Sequence, residues 1–207
     1  DTAQLLNTDN RLKAYGGFRG SISKDISFNS YFTYSRTNNI ALFVNTEDDS
    51  PYNPDNKFLL VYDTAEIYNV HGEIAWQHSE KLQLIARGDY FKYNMSQQQY
   101  AWHMPNIEIG LTAKYNLRDK IIAKADIFYL GERFAQKSYS PSLPIYTNPH
   151  AVKLPAIYDF NLGIEYRYTN RLSAFVNFNN ITSYRYQRWY QYPSQRINIL
   201  GGLTYSF

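Results

Sequence analysis

The stretch NIEIGLTAKYNL, residues 106 to 117, decides the fold. Ile107, Ile109, Leu111, Ala113 and Tyr115 alternate along it with Glu108, Gly110, Thr112 and Lys114. Successive side chains on a strand point to opposite faces, so this ribbon has one greasy side and one wet side. Residues 156 to 168 repeat the design, with Tyr158, Phe160, Leu162, Ile164, Tyr166 and Tyr168 against Asp159, Asn161, Gly163, Glu165 and Arg167. Residues 171 to 179 do so again, with Leu172, Ala174, Val176 and Phe178 on the greasy side. The same rule predicts further strands near residues 11 to 23, 26 to 36, 64 to 78, 82 to 94, 120 to 131 and 197 to 207. That makes about nine strands, most of them near or above the roughly 9 to 11 residues with which a tilted strand crosses a bilayer. Strands of water-soluble domains are shorter, at about five or six residues.

The connections alternate in length. Short polar turns fall at Lys24-Asp25, Ser79-Glu80-Lys81, Leu117-Arg118-Asp119 and Thr169-Asn170. Long links run from Asn45 to Lys57, Met95 to Pro105, Glu132 to Pro155 and Ile181 to Arg196. Short turns on one side of the membrane and longer loops on the extracellular side are the pattern of an antiparallel transmembrane β-barrel. Ile40 to Val44 and Phe58 to Tyr62, beside the first long link, are expected to continue their strands above the membrane.

Composition agrees. Among 207 residues there are 21 Tyr, 12 Phe and 3 Trp, a supply of amphipathic rings suited to membrane interfaces. A mean hydropathy of -0.52 and the lack of any run of about 20 apolar residues argue against membrane-crossing helices. There is no cysteine, which excludes thiolate chemistry and Cys-ligated metals. The net charge of +3 comes from scattered Lys and Arg, without the basic block that tracks a phosphate backbone, so nucleic acid is not an expected partner. No composition shift divides the chain, and residues 1 to 207 read as one barrel domain.

The end of the chain is specific. In INILGGLTYSF, residues 197 to 207, one face carries Ile197, Ile199, Gly201, Leu203, Tyr205 and Phe207, and Phe207 ends the chain. Together with LSAFVNFNNITSYRYQ, residues 172 to 187, this resembles the close of TonB-dependent receptor barrels. The matching residues are Asn179, Asn180, Thr182, Tyr184, Tyr192, Pro193, Arg196, Gly201, Gly202, Tyr205 and Phe207, within roughly the last 36 residues. The resemblance implies an outer-membrane location, contact with outer-membrane lipid, and an assembly signal at Tyr205 and Phe207 that the barrel assembly machinery reads. It further implies nutrient import energised by TonB through a plug domain, for which these residues hold no counterpart. The alternative is a passive porin or structural barrel without energy coupling. If the last strand runs inward and the strands alternate, the first also runs inward; residues 1 to 10 then lie outside, and the chain is expected to be the C-terminal part of a larger barrel.

Enzyme chemistry is not expected. No nucleophile elbow, phosphate loop or zinc-protease helix occurs. His71, His78, His103 and His150 are scattered, so no metal site and no cofactor are expected. Glu73, Asp89, Glu108, Asp126, Asp159 and Glu165 share the wet face with Arg87, Lys114, Lys124 and Arg167, and are expected to form charge ladders. Ligand contact would come from the long links, where Trp102 and His103 in one and Arg188, Trp189 and Tyr190 in another combine aromatic surface with a cation. The competing reading, which the sequence favours for these residues, is membership of the upper aromatic girdle.

Overall fold

The computed structural model describes residues 8–45, 58–137 and 151–206. Nine long strands pair antiparallel in one sheet: β1 (Asp9–Ser21), β2 (Ile26–Asn45), β3 (Phe58–Gln77), β4 (Leu82–Met95), β5 (Ile107–Leu117), β6 (Ile121–Leu130), β9 (Ile157–Arg167), β10 (Leu172–Asn179) and β13 (Asn198–Tyr205). Each neighbours its successor, and the sheet is open, with β1 and β13 at its edges. Four short strands lie within the long links: β7 (Arg133–Gln136) pairs with β8 (Ala151–Leu154), and β11 (Gln187–Trp189) pairs with β12 (Tyr192–Pro193). Among the described residues there is no helix.

The nine predicted strands are present, with shifted ends. β1 stops at Ser21 because Ile22 already turns, its amide donating to the Ile26 carbonyl at 2.9 Å. Arg118 and Asp119 hold φ of 53° and 57°, the mirror-image turn that suits twisted hairpins, and the Asn116 side chain donates to Asp119 at 2.6 Å. The expected extensions of β2 and β3 also exist. What the sequence did not show is how β2 reaches Asn45. Between Thr37 and Ile40 the register slips by one residue, with Asn39 at φ 52°. Such a bulge swaps the faces of everything beyond it. Below it Tyr31, Thr33 and Thr37 share a face with Asp89 and Ala65; above it Leu42 pairs with Val61 on that same side.

Cross-strand register confirms the two faces. Leu84, Ala113 and Ala125 line up across β4, β5 and β6, bordering an apolar hollow of about 380 Å³ with Ile74, Leu111 and Ile127. On the opposite face lies a polar recess of about 720 Å³ that includes Lys114, Lys124, Asp126, Glu165 and Arg167. The ladder reading expected pairing between neighbouring strands, whereas here the charges pair along a single strand: Lys124 with Asp126 at 2.8 Å on β6, and Arg167 with Glu165 at 2.9 Å on β9, while Lys114 stands opposite Lys124. Higher on the same face His71 meets Asp89 at 2.9 Å and stacks on Tyr31. Gly110 makes room for Arg87, since a Cβ there would come within 2.7 Å of the guanidinium.

Gly17 is the tightest point of the edge pairing. A Cβ would lie 2.4 Å from the Ser30 carbonyl oxygen, which is backbone and cannot swing away. Gly17→Ala is therefore expected to cost about 1 to 3 kcal/mol in the β1 and β2 pairing. Gly16→Ala, whose Cβ meets nothing within 4 Å, serves as the control. Hydrogen exchange of the β1 amides reads the difference, and equal exchange in the two variants would refute it.

Candidate functional site

The link between β2 and β3 lies outside the described residues, but the described parts of the links after β4, β6 and β10 meet the ends of β2 and β3 at one end of the sheet and form a packed cap. Leu42, Val44, Val61 and Trp102 are its buried core, with Tyr100, Met104 and Phe134 against them. Trp102 is 3% exposed and donates its indole N–H to Gln98 at 2.8 Å. Tyr100 stacks on Phe134 with ring centres 4.0 Å apart. Asp63, also buried, accepts the amides of Thr64, Gln97 and Gln98, which fixes the start of the link between β4 and β5. Apolar burial and charge-assisted capping thus replace regular secondary structure in holding these segments.

His103 is the node of the cap. Its amide donates to the Phe134 carbonyl at 2.7 Å, its Nδ1 lies 3.2 Å from the Phe43 carbonyl, and the Tyr190 amide donates to its Nε2 at 3.2 Å. A carbonyl can only accept, so Nδ1 carries the proton and Nε2 is the acceptor, which makes the ring neutral. Burial, opposed by the bond to Phe43 and reinforced by Arg133, lowers its pKa to about 4. Around the ring stand Trp189 at 4.9 Å and Phe58 at 5.8 Å between centres. Trp189 also meets Phe43 edge-on, and Phe58 stacks on Tyr192.

A second tie is Arg133, whose side chain is wholly buried. Nη1 donates to the Gly131 carbonyl at 2.9 Å, and Nη2 to the carbonyls of Gln187 at 2.9 Å and Pro155 at 3.4 Å. Burial, reinforced by Arg188, pushes its pKa down. Tyr186 hangs the same link on the sheet, donating its hydroxyl to Asp159 at 2.7 Å; burial and that bond push its pKa up to about 12. Asn180, at φ 50°, donates to the carbonyls of Tyr184 and Gln195 and accepts from the Tyr184 amide. It closes the loop into β13.

The structure therefore joins His103, Trp189 and Tyr190, which the sequence placed in two separate links. Trp102 and His103 are enclosed, because neighbouring links fold over them, and their rings serve the interior of the cap. Trp189 is 37% exposed and Arg188 is exposed beside it. Arg133 and Asp63 went unnoticed in the sequence, where each reads as an ordinary solvated charge. Tyr205 lies in β13, and Phe207 lies outside the described residues.

The open meander of long strands with capping links has solved counterparts. The pyoverdine outer membrane receptor FpvA of Pseudomonas aeruginosa PAO1 matches 94% of this chain with a TM-score of 0.67 and 16% identity. The ferric-catecholate import receptor Fiu of K12 E. coli matches 94% with a TM-score of 0.67 and 14% identity, and the copper transporter OprC matches 94% with a TM-score of 0.69 and 12% identity. The fold is that of a TonB-dependent receptor barrel. This agrees with the resemblance carried by the last residues of the sequence. The chain spans 29%, 27% and 31% of the lengths of those three proteins. No family model and no curated protein matches the sequence. Within the receptor-barrel fold the long links face outward from the cell and the greasy side of the sheet faces lipid.

Proposed function

We propose that this chain is part of the wall of an outer-membrane receptor that imports a scarce nutrient, and that its cap presents Arg188, Trp189 and Tyr190 to the ligand. The observation that carries this reading is the tying of separate extracellular links into one rigid surface at His103 and Arg133. Ordering long links costs conformational entropy, and a preorganised surface recovers that cost when it binds. An exposed indole beside a guanidinium suits a planar, anionic chelate. Among the similar structures are a ferripyoverdine receptor, a ferric-catecholate import receptor and a copper transporter, which supports a metal nutrient as the substrate class. In this reading the energy comes from TonB through a plug, and the barrel assembly machinery reads Tyr205 and Phe207.

The test is uptake by cells carrying the full gene, with and without a working TonB system, across a panel of radiolabelled ferric and cupric chelates. One chelate is expected to enter only when both gene and TonB are present. Trp189→Ala is expected to weaken its binding at least about tenfold, the loss of one desolvated aromatic contact of about 1.4 kcal/mol or more. Solute entry that ignores both TonB loss and Trp189→Ala would replace this reading with a passive pore.

A further inference from the structure

His103 touches more of the cap than any ligand-contact role requires. Its own link lies between β4 and β5; it bonds to Phe43 on β2, to Phe134 on β7 and to Tyr190 beside β11. This one residue therefore joins four segments of the cap: its backbone amide holds Phe134, and its two ring nitrogens hold Phe43 and Tyr190. Only the neutral ring with hydrogen on Nδ1 can make both. A second proton would go to Nε2, the atom that accepts the Tyr190 amide, and would turn that attraction into a clash of two donors.

We propose that His103 is a proton-operated latch, closed when neutral, whose protonation in acidic surroundings frees the link carrying Arg188, Trp189 and Tyr190 from the rest of the cap.

The surroundings of the ring set the direction. Among the described residues the charged group acting on the ring is Arg133 from β7, with Arg188 acting on Arg133 in turn; Tyr190 lies against the ring, Tyr192 stands across Phe58, and no described carboxylate contributes to its titration. A second cation would stand near Arg133, inside a region from which water is excluded. The rings of Trp189 and Phe58 stand beside it, the plane of Phe58 at 88° to that of the imidazole. In the open cap the ring is solvated and titrates at its ordinary value near 6.5. In the closed cap it titrates at about 4. Closure is thus fully favoured above pH 6.5, weakens as pH falls toward 4, and changes no further below that. Between pH 7.5 and pH 5 the open fraction rises on the order of 30-fold.

The inference rests on the cap geometry and not on the identity of any ligand, so its failure would leave the import reading standing. It is tested on the whole protein in nanodiscs, without ligand, by hydrogen exchange of peptides covering residues 187–193, corrected for the intrinsic dependence of exchange on pH. Wild type is expected to show the roughly 30-fold step between pH 7.5 and 5. His103→Gln keeps an acceptor for the Tyr190 amide and does not titrate, so its step should vanish. His103→Asn keeps the donor to Phe43 and loses that acceptor, so exchange should be fast at both pH values. No step in wild type, or an undiminished step in His103→Gln, would overturn the latch. Should His103→Gln fail to fold, NMR of ring-labelled histidine in wild type decides: titration near 4 supports the latch, and titration at 6.5 or above refutes it.

Discussion

Leu111→Arg is expected to destabilise the barrel by about 2 to 4 kcal/mol, the cost of a cation on the lipid side near the bilayer midplane. Leu111 is central in β5, 43% exposed, and borders the apolar hollow with Ile74, Ala86 and Ile127. It has hydrocarbon for a neighbour and nothing polar to reach. Thr112→Lys, one residue further on, is expected to be nearly neutral. Its side chain points to the polar face, where the native hydroxyl already donates to Asp126 at 2.7 Å. Urea titration of the whole protein folded in phospholipid bilayers measures both. Equal losses at the two positions, or a larger loss at Thr112, would mean that the faces have been assigned the wrong way round.

Arg133→Met is expected to loosen the cap by about 2 to 4 kcal/mol while the sheet keeps its stability. Bonds to a charged donor contribute about 1.5 to 3 kcal/mol each, and the carbonyls of Gly131 and Gln187 would lose theirs in a place water does not reach. Part of that loss is returned, because no carboxylate is paired with this guanidinium among the described residues and its burial is itself costly. Arg133→Lys should recover little, since a single ammonium cannot fork between carbonyls on separate segments. Limited proteolysis after residues 131–137 and 185–193 reads the cap, and thermal melting of the β signal reads the sheet. Unchanged protection of the cap would remove Arg133 from the ties holding it and weaken the case for a preorganised surface.

These two expectations differ in how visible they were beforehand. Leu111 and Thr112 could be assigned from alternation alone, because a strand's side-chain period of two is a local property that needs no knowledge of what lies opposite. The same holds for the turns at Lys24, Ser79, Arg118 and Thr169, and for the continuation of β2 to Asn45 and of β3 from Phe58. The bulge at Asn38 and Asn39 was not visible, although it decides that Leu42 and Val44 join Val61 and Trp102 in the core of the cap. Its two asparagines tolerate a left-handed backbone, but many asparagine pairs occupy ordinary turns, so the local signal is ambiguous.

For the site, sequence named Trp102, His103 and Trp189 among the rings of the cap, and it missed Phe43, Phe58, Tyr100 and Phe134 as well as the ties. Trp102, His103, Arg188, Trp189 and Tyr190 stood out because aromatic residues in a polar link need a reason. That Tyr190 donates to His103 across 87 residues of chain, and Arg133 to Gln187 across 54, has no sequence signature at all. The amino-acid sequence by itself determined the two-faced ribbons, the nine long strands of the described sheet and which of their connections are tight turns, because those follow from periodicity and turn chemistry within a few residues. Only the tertiary structure decided which links meet, which rings are enclosed and which histidine carries a forced tautomer. Such bonds join backbone groups that every residue possesses, and only folding brings the right ones together.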